Sequence, residues 1–85
     1  MFWVYILQNP KGTFYIGQTD NLELRVVSHN RTDKLGGKFT RKNGPWTLVW
    51  SETHPTRALA MAREKQIKSW RSARTIRERL LEPSE

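Results

Sequence analysis

The fold is decided by the stretch FWVYILQNPKGTFYIG, residues 2–17. Phe2–Gln8 is rich in β-branched and aromatic residues, and its apolar side chains occupy both alternating sets of positions. This pattern predicts a strand that is covered on both faces and central in its sheet. Asn9–Gly12 has the composition of a turn, and Thr13–Gly17 is predicted to form a second strand that ends at Gly17. We therefore expect an antiparallel hairpin.

Beyond the hairpin, the sequence predicts helices and one more strand. Asp20 and Glu23 have the spacing of a capping box, and Thr56 is placed to cap a later helix. The predicted elements are a helix over Asn21–Asn30, a strand over Trp46–Glu52, a helix from Thr56 to Trp70, and a short final helix with Ile76, Leu80 and Leu81 on its apolar side. The order β-β-α-β-α-α predicts the α+β class, with a small three-stranded antiparallel sheet flanked by helices. We expect one domain over residues 1–82 and a frayed end at 83–85.

Composition restricts the classes of function that the chain can serve. Fifteen Lys and Arg against eight Asp and Glu give a net charge of +7 over 85 residues, which favours a polyanionic partner such as nucleic acid or an anionic membrane surface, and charge alone does not choose between the two. The absence of cysteine excludes disulfides, zinc–thiolate clusters and thiol chemistry. The apolar start reaches only Leu7, far short of the roughly 20 residues of a membrane span. We expect no membrane association and a cytoplasmic location.

Five short motifs follow one another at fixed distances along the chain. They are Trp3-Val4-Tyr5, Tyr15-Ile16-Gly17, Arg25 with His29, Gly44-Pro45-Trp46, and Ala58-Leu59 leading to Glu64. In this order and spacing, the set resembles the GIY-YIG nuclease superfamily over nearly the whole chain. The most similar subgroups are the small solitary-domain bacterial proteins (UPF0213-like) and the nuclease subunit of the eukaryotic structure-specific endonuclease that cuts branched DNA.

The same residues fit the chemistry of phosphodiester hydrolysis, which requires an activated water and stabilisation of negative charge on the phosphoryl oxygens. Glu64 can hold a hard cation, Mg²⁺ or Mn²⁺, because such an ion keeps several waters and takes only one or two carboxylates. Its helical face also carries Ala60, which suggests partial burial. Arg25 offers a charged fork for phosphate oxygens, and His29 follows one helical turn later.

Two tyrosines complete the predicted catalytic set. Tyr5 and Tyr15 lie on paired strands, and the hairpin is expected to bring their hydroxyls to the same side of the sheet, with Gly17 as part of the structural motif. A phenol titrates near about 10, so a tyrosine acting as base needs cations nearby. In the resembled family a tyrosine is proposed to activate the water. We favour Tyr5 for this task, with Tyr15 or His29 assisting.

Basic residues between the first helix and the third strand predict a nucleic-acid-binding loop. They are Arg31, Lys34, Lys38, Arg41 and Lys42, with Phe39 among them for stacking on a base. A second basic group, Arg71, Arg74, Arg77 and Arg79, is not confined to one helical face by its spacing. The loop is therefore the stronger candidate for contact with a phosphate backbone.

The sequence departs from the family pattern in two places that bear on function. Trp3 replaces the glycine of the first tripeptide, and Gln18 stands where the nucleotide-excision-repair relatives have a lysine. The resemblance implies a metal-dependent DNA endonuclease acting on branched or damaged DNA in repair or recombination. Two alternatives remain open: a nucleic-acid-binding module with little catalysis, and a nuclease subunit that needs a protein partner to supply specificity.

Overall fold

The structure is a computed structural model that describes residues 1–30 and 44–81, apart from the His29 side chain. Its elements are the strands β1 (Phe2–Gln8), β2 (Phe14–Thr19) and β3 (Thr47–His54), the helices α1 (Leu22–His29), α2 (Arg57–Ser69) and α3 (Ala73–Ile76), and a π-helical segment (Arg77–Leu81) that continues α3. The α+β class and the predicted order of elements are confirmed. In the described segments, no helix combines the length and the apolar character that crossing a membrane requires.

The sheet has the strand order β2-β1-β3, and both pairings are antiparallel. Residues 4–7 of β1 are almost completely buried, at 0–2% exposure. The continuous apolar run therefore identified the central strand correctly. Strand β2 is left at one edge of the sheet.

Each face of the sheet carries its own apolar cluster. On one face, Val4 and Ile6 pack with Ala60 and Ile67 of α2 and Ile76 of α3. On the other face, a second cluster consists of Tyr5, Leu7 and Trp46, with Tyr15, Leu22 and Val26 packed against it. The alternation of side chains along β1 thus separates a helical layer that contains α2 from one that contains α1.

Two local predictions were wrong. Strand β2 does not end at Gly17 but continues to Thr19, because Gly17 pairs with Tyr5 in the interior of the hairpin. The cap of α1 is Asn21, whose Oδ1 accepts the Leu24 N–H at 3.1 Å, and not Asp20.

Other local predictions are confirmed or extended. Thr56 caps α2 as predicted, with its Oγ1 accepting the Leu59 N–H at 3.2 Å. Ile76 is buried, and Leu80 and Leu81 pack against the same cluster, as expected for the apolar side of the final helix. Strand β3 runs two residues further than predicted, to His54.

Arg63 attaches α2 to β3 and thereby orients the helix that carries Glu64. Its Nε donates to Glu52 Oε1 on β3 at 3.1 Å, and its guanidinium lies 5.9 Å from the ring centroids of both Trp50 and Trp70. Because Arg63 is next to Glu64 in sequence, this attachment also fixes the direction in which Glu64 leaves the helix.

Candidate active site

The hairpin places Tyr5 and Tyr15 next to each other on one face of the sheet. Tyr5 is opposite Gly17 and Tyr15 is opposite Leu7, so the two tyrosines are diagonal neighbours across β1 and β2. Their ring centroids are 6.5 Å apart, and their planes differ by 24°. The expectation that both phenols lie on the same side of the sheet is confirmed.

Gly17 is required because the Tyr5 ring lies directly across it. A β-carbon built on Gly17 would lie 2.5 Å from the Tyr5 hydroxyl oxygen and 2.7 Å from its Cζ, closer than any side chain can approach. Because Gly17 has no side chain, the Tyr5 phenol from the central strand β1 can extend over the edge strand β2. The phenol of Tyr5 therefore ends at the β2 edge of the sheet.

The charges of Arg25 and Glu64 act on this same phenol. Burial is the main effect and raises the pKa of Tyr5 above its ordinary value; Tyr15 and the negative charge of Glu64 raise it further, whereas the positive charge of Arg25 lowers it. The Tyr5 phenol is thus influenced by a neighbour on β2 and by charges carried on α1 and α2. At neutral pH that hydroxyl remains protonated and can donate a hydrogen bond.

Tyr5 should make the folded protein sensitive to alkali. Since the pKa of Tyr5 is raised on folding, the folded state keeps a proton that the unfolded chain releases above pH about 10. Its contribution to stability is therefore fully present below that pH and is lost above it, by up to about 1.4 kcal/mol per pH unit. We expect the urea midpoint of the wild type to fall more steeply between pH 9 and 11 than that of Tyr5→Phe. Parallel curves would show that the phenol titrates normally in the fold.

Glu64 projects from α2 between two fully buried residues, Ala60 and Ile67. Its side chain is 21% exposed, and its Oε2 accepts a hydrogen bond from Lys68 Nζ at 2.6 Å. The partial burial predicted from helical spacing is confirmed. A carboxylate in such a position requires a cation, and in this structure the ammonium of Lys68 provides it.

The surroundings of Glu64 fit a hard metal ion. A cavity of about 580 Å³ is lined by Glu64, Gln18, Lys65 and Lys68, together with Met61 and Ala62. The Oε1 atom of Gln18, a residue that lines the same cavity, is buried and has no hydrogen-bond partner in the described part of the chain, and an amide oxygen is among the ligands that Mg²⁺ accepts. Among residues 1–30 and 44–81, no three His, Cys, Asp or Glu residues gather into a full set of metal ligands. A metal here would therefore retain several waters.

Asn30 and Trp46 also support the site, although the sequence analysis assigns neither of them a role there. Asn30 follows α1 and pairs with the Trp46 backbone in both directions: its Oδ1 accepts the Trp46 N–H at 2.6 Å, and its Nδ2 donates to the Trp46 carbonyl at 2.9 Å. The Trp46 ring meets Tyr15 edge to face at 6.0 Å. Trp46 belongs to the motif set and Asn30 directly follows His29, but neither spacing nor composition reveals this contact.

Several predicted site residues lie outside the part of the chain that the structure describes. His29 is the last residue of α1 and follows Arg25 by one turn. The His29 side chain lies outside the described residues. The same holds for the whole predicted DNA-binding loop: Arg31, Lys34, Lys38, Phe39, Arg41 and Lys42. The residues that the structure brings together are thus Tyr5, Tyr15, Gly17, Arg25 and Glu64.

Several known proteins are similar to this chain. The chain is 40% identical over 68 residues to a UPF0213 protein of Halobacterium salinarum, covering 80% of this chain and 86% of that one. It is 39% identical over 79 residues to a UPF0213 protein of Natronomonas pharaonis, covering 93% and 88%. The solution NMR structure of a UPF0213 protein from Bacillus halodurans is 34% identical, with a TM-score of 0.49 over 81% of this chain and 72% of that one.

The match to a family model covers most of the sequence. Residues 1–77 match the model of the GIY-YIG catalytic domain, which includes every element from β1 through α3. The chain therefore belongs to the GIY-YIG family, alongside small UPF0213 relatives.

Proposed function

We propose that this protein is a metal-dependent DNA endonuclease that hydrolyses phosphodiester bonds. The observation that carries the proposal is that Tyr5 and Tyr15 lie side by side on one face of the sheet, with ring centroids 6.5 Å apart, while the charges of Arg25 and Glu64 act on the Tyr5 phenol. A phosphate bound at this edge would meet a permanent cation, a carboxylate for a metal, and phenolic oxygens. These are the groups that phosphodiester hydrolysis requires.

Glu64 would hold one divalent metal, Mg²⁺ or Mn²⁺, with the Gln18 amide oxygen available in the same cavity. When bound, the metal supplies polarisation of the phosphate and lowers the pKa of a coordinated water. Lys68 must then leave the carboxylate, and since its side chain is 54% exposed it has room to do so.

Arg25 would bind the non-bridging phosphate oxygens. It is exposed on α1 and is near enough to the site to lower the pKa of Tyr5. A guanidinium is planar and always charged, so it can hold two oxygens of a phosphate while negative charge develops on them. His29, one turn later in the chain, is proposed to assist with proton transfer.

The two tyrosines would have different tasks. A base must lose its proton, and burial keeps Tyr5 protonated, so Tyr5 is better suited to donate a hydrogen bond to the phosphate than to activate water. We therefore transfer the proposed base from Tyr5 to Tyr15, whose half-buried ring lies beside it. The sequence could not make this distinction, because both residues are tyrosines on paired strands.

A second candidate function is nucleic-acid binding with little catalysis. The ion pair between Glu64 and Lys68 favours it, because this carboxylate already has a cation and a purely structural role would explain both residues. A third candidate is a nuclease subunit that depends on a protein partner for specificity. The exposed apolar side chains Leu24 and Val27 on α1 support that alternative.

The proposal is tested by cleavage assays with the purified protein, using linear, nicked, flapped and four-way DNA with Mn²⁺, Mg²⁺ or EDTA. We expect cutting with either metal, none with EDTA, and a preference for branched DNA if the protein acts in repair or recombination in the cytoplasm. Arg25→Gln should lower the rate by about 10²-fold, because it removes a charge that stabilises the transition state. Arg74→Gln is the matched control, because it removes the same charge from an arginine outside the proposed site. Arg74 on α3 is exposed and forms an ion pair with Glu78 of the π-helical segment.

Three results would contradict the proposal. Cleavage that persists in EDTA would show that the reaction needs no metal. Equal cleavage rates for the wild type and Arg25→Gln would show that the Arg25 guanidinium takes no part in the mechanism. Binding of DNA without cutting under every metal condition would favour the binding module instead.

A further inference from the structure

Two grooves adjoin along the outer edge of β2 and continue from the cavity that contains Glu64. The first is that cavity, and the second, of about 310 Å³, is lined by Phe14 and Ile16 of β2 with Lys68 and Arg71. Lys68 lines both grooves, so they meet at its side chain. Together they form a path that leads from Glu64 toward the hairpin turn.

We propose that one strand of a DNA duplex follows this path, with its phosphates bound by Lys65, Lys68 and Arg71. The proposal rests on the proposed function, because it extends the strand whose scissile phosphate would lie at Glu64. It assigns a second DNA contact surface in addition to the basic loop predicted from the sequence.

The three cations have the spacing that a phosphate backbone requires. They lie at intervals of three residues, so Lys65 and Lys68 share one face of α2, and Arg71 follows just after the helix ends. The three residues from Lys65 to Lys68 rise about 4.5 Å along the helix axis, which is comparable with the axial rise of about 3.4 Å per phosphate of one DNA strand. In the described part of the chain neither Lys65 nor Arg71 forms an ion pair, so both charges are available.

The floor of the second groove favours a nucleic-acid strand over a free anion. The partly exposed residues Phe14 and Ile16 are apolar, whereas Lys68 and Arg71 carry the positive charge. An inorganic phosphate gains nothing from such a floor. A DNA strand can place its phosphates against the cations and its sugars against the apolar surface.

The backbone of Arg71 provides a sharp test. Arg71 has φ of 51°, in the left-handed region, and its N–H donates to the Lys68 carbonyl at 3.3 Å. This is the position after a helix end where glycine is usually found, because it has no β-carbon to strain. Arg71→Gly should therefore remove the guanidinium while leaving the fold at least as stable as the wild type.

The experiment is a titration of the full chain against a fluorescently labelled 20-base-pair duplex, in EDTA to prevent cutting, at several salt concentrations between 50 and 200 mM. We expect Arg71→Gly and Lys65→Gln each to weaken binding several-fold at the lowest salt. Each should also reduce the slope of log K against log salt by about 0.9, since one phosphate contact is lost. Arg74→Gln, which removes an arginine that lines neither groove, should change neither quantity, and the melting temperature of Arg71→Gly should equal or exceed that of the wild type.

The outcomes separate this proposal from the nuclease activity. If the wild type binds DNA and both groove variants keep its affinity and salt slope, the path is wrong, whatever the cleavage assays show. If Arg71→Gly and Lys65→Gln weaken DNA binding as expected but no metal supports cleavage, the proposed DNA path is supported and the proposed nuclease activity is contradicted. Displacement of the duplex by polyglutamate at equal charge concentration would assign the surface to acidic peptides, and absence of any DNA binding at 50 mM salt would overturn the path.

Discussion

Replacing Glu64 with glutamine is expected to reduce metal-dependent DNA cleavage by about 10²- to 10³-fold, the usual cost of removing one charge-stabilising group from an active site. Glutamine has the same length and keeps the packing of the side chain between Ala60 and Ile67, both of which are fully buried. It lacks the negative charge that a divalent cation requires. The same substitution should abolish Mn²⁺ binding, which electron paramagnetic resonance of free Mn²⁺ measures without any DNA present.

Glu78→Gln is the matched control for this prediction. Arg74 and Glu78 form the second pair of the described residues with the i,i+4 spacing of Glu64 and Lys68, at 2.9 Å. Both substitutions remove one negative charge from a helical ion pair, and such a pair contributes only about 0.3–0.5 kcal/mol to stability. Glu78→Gln should therefore retain both cleavage and Mn²⁺ binding. If Glu64→Gln also retains them, Glu64 is only the structural partner of Lys68.

The elements of this fold were predictable where a single signal was sufficient. The apolar run in β1 has no polar face, so burial on both sides followed from the sequence alone. Thr56 has no competing cap next to it, and its position fixed the start of α2. The partial burial of Glu64 followed from helical geometry, because Ala60 and Ile67 lie one turn before and after it.

Predictions failed where a tertiary contact decides between local alternatives. Asp20 and Asn21 are adjacent, and both residue types suit a helix cap. The structure uses Asn21 as the cap of α1, whereas Oδ2 of Asp20 lies 3.8 Å from Nη2 of Arg57 on α2. The roles of the two tyrosines stay predictions, since the pKa of a phenol depends on burial, which strand pairing alone does not reveal. Gly17 resembled a strand end because glycine is rare in strand interiors. Gly17 nevertheless lies inside strand β2, because the Tyr5 ring of the neighbouring strand β1 occupies the space that a side chain would need.

That exception leads to the largest expected effect on stability. Gly17→Ala should destabilise the fold by about 1–3 kcal/mol, the usual cost of overpacking a buried site. The new methyl group would lie 2.5 Å from the Tyr5 hydroxyl oxygen and 2.7 Å from Cζ, and the ring cannot simply move aside because Tyr5 is only 2% exposed. For a domain of this size the melting temperature should fall by roughly 4–8 °C for each kcal/mol. Cleavage should fall with it, because the Tyr5 phenol would leave the edge of β2.

A double-mutant cycle identifies the Tyr5 ring as the cause. In a Tyr5→Leu background there is no ring over Gly17, so Gly17→Ala should cost much less, as measured by urea unfolding followed by tryptophan fluorescence. Gly12→Ala is the control, because Gly12 has φ of 85° and its added β-carbon would meet only the end of Gln8, at 3.9 Å. Its cost comes from backbone strain and should be equal in both backgrounds. If Gly17→Ala lowers the free energy of unfolding equally in the wild-type and Tyr5→Leu backgrounds, the glycine is required by the backbone of β2. The Tyr5 ring is then not the reason for glycine at this position.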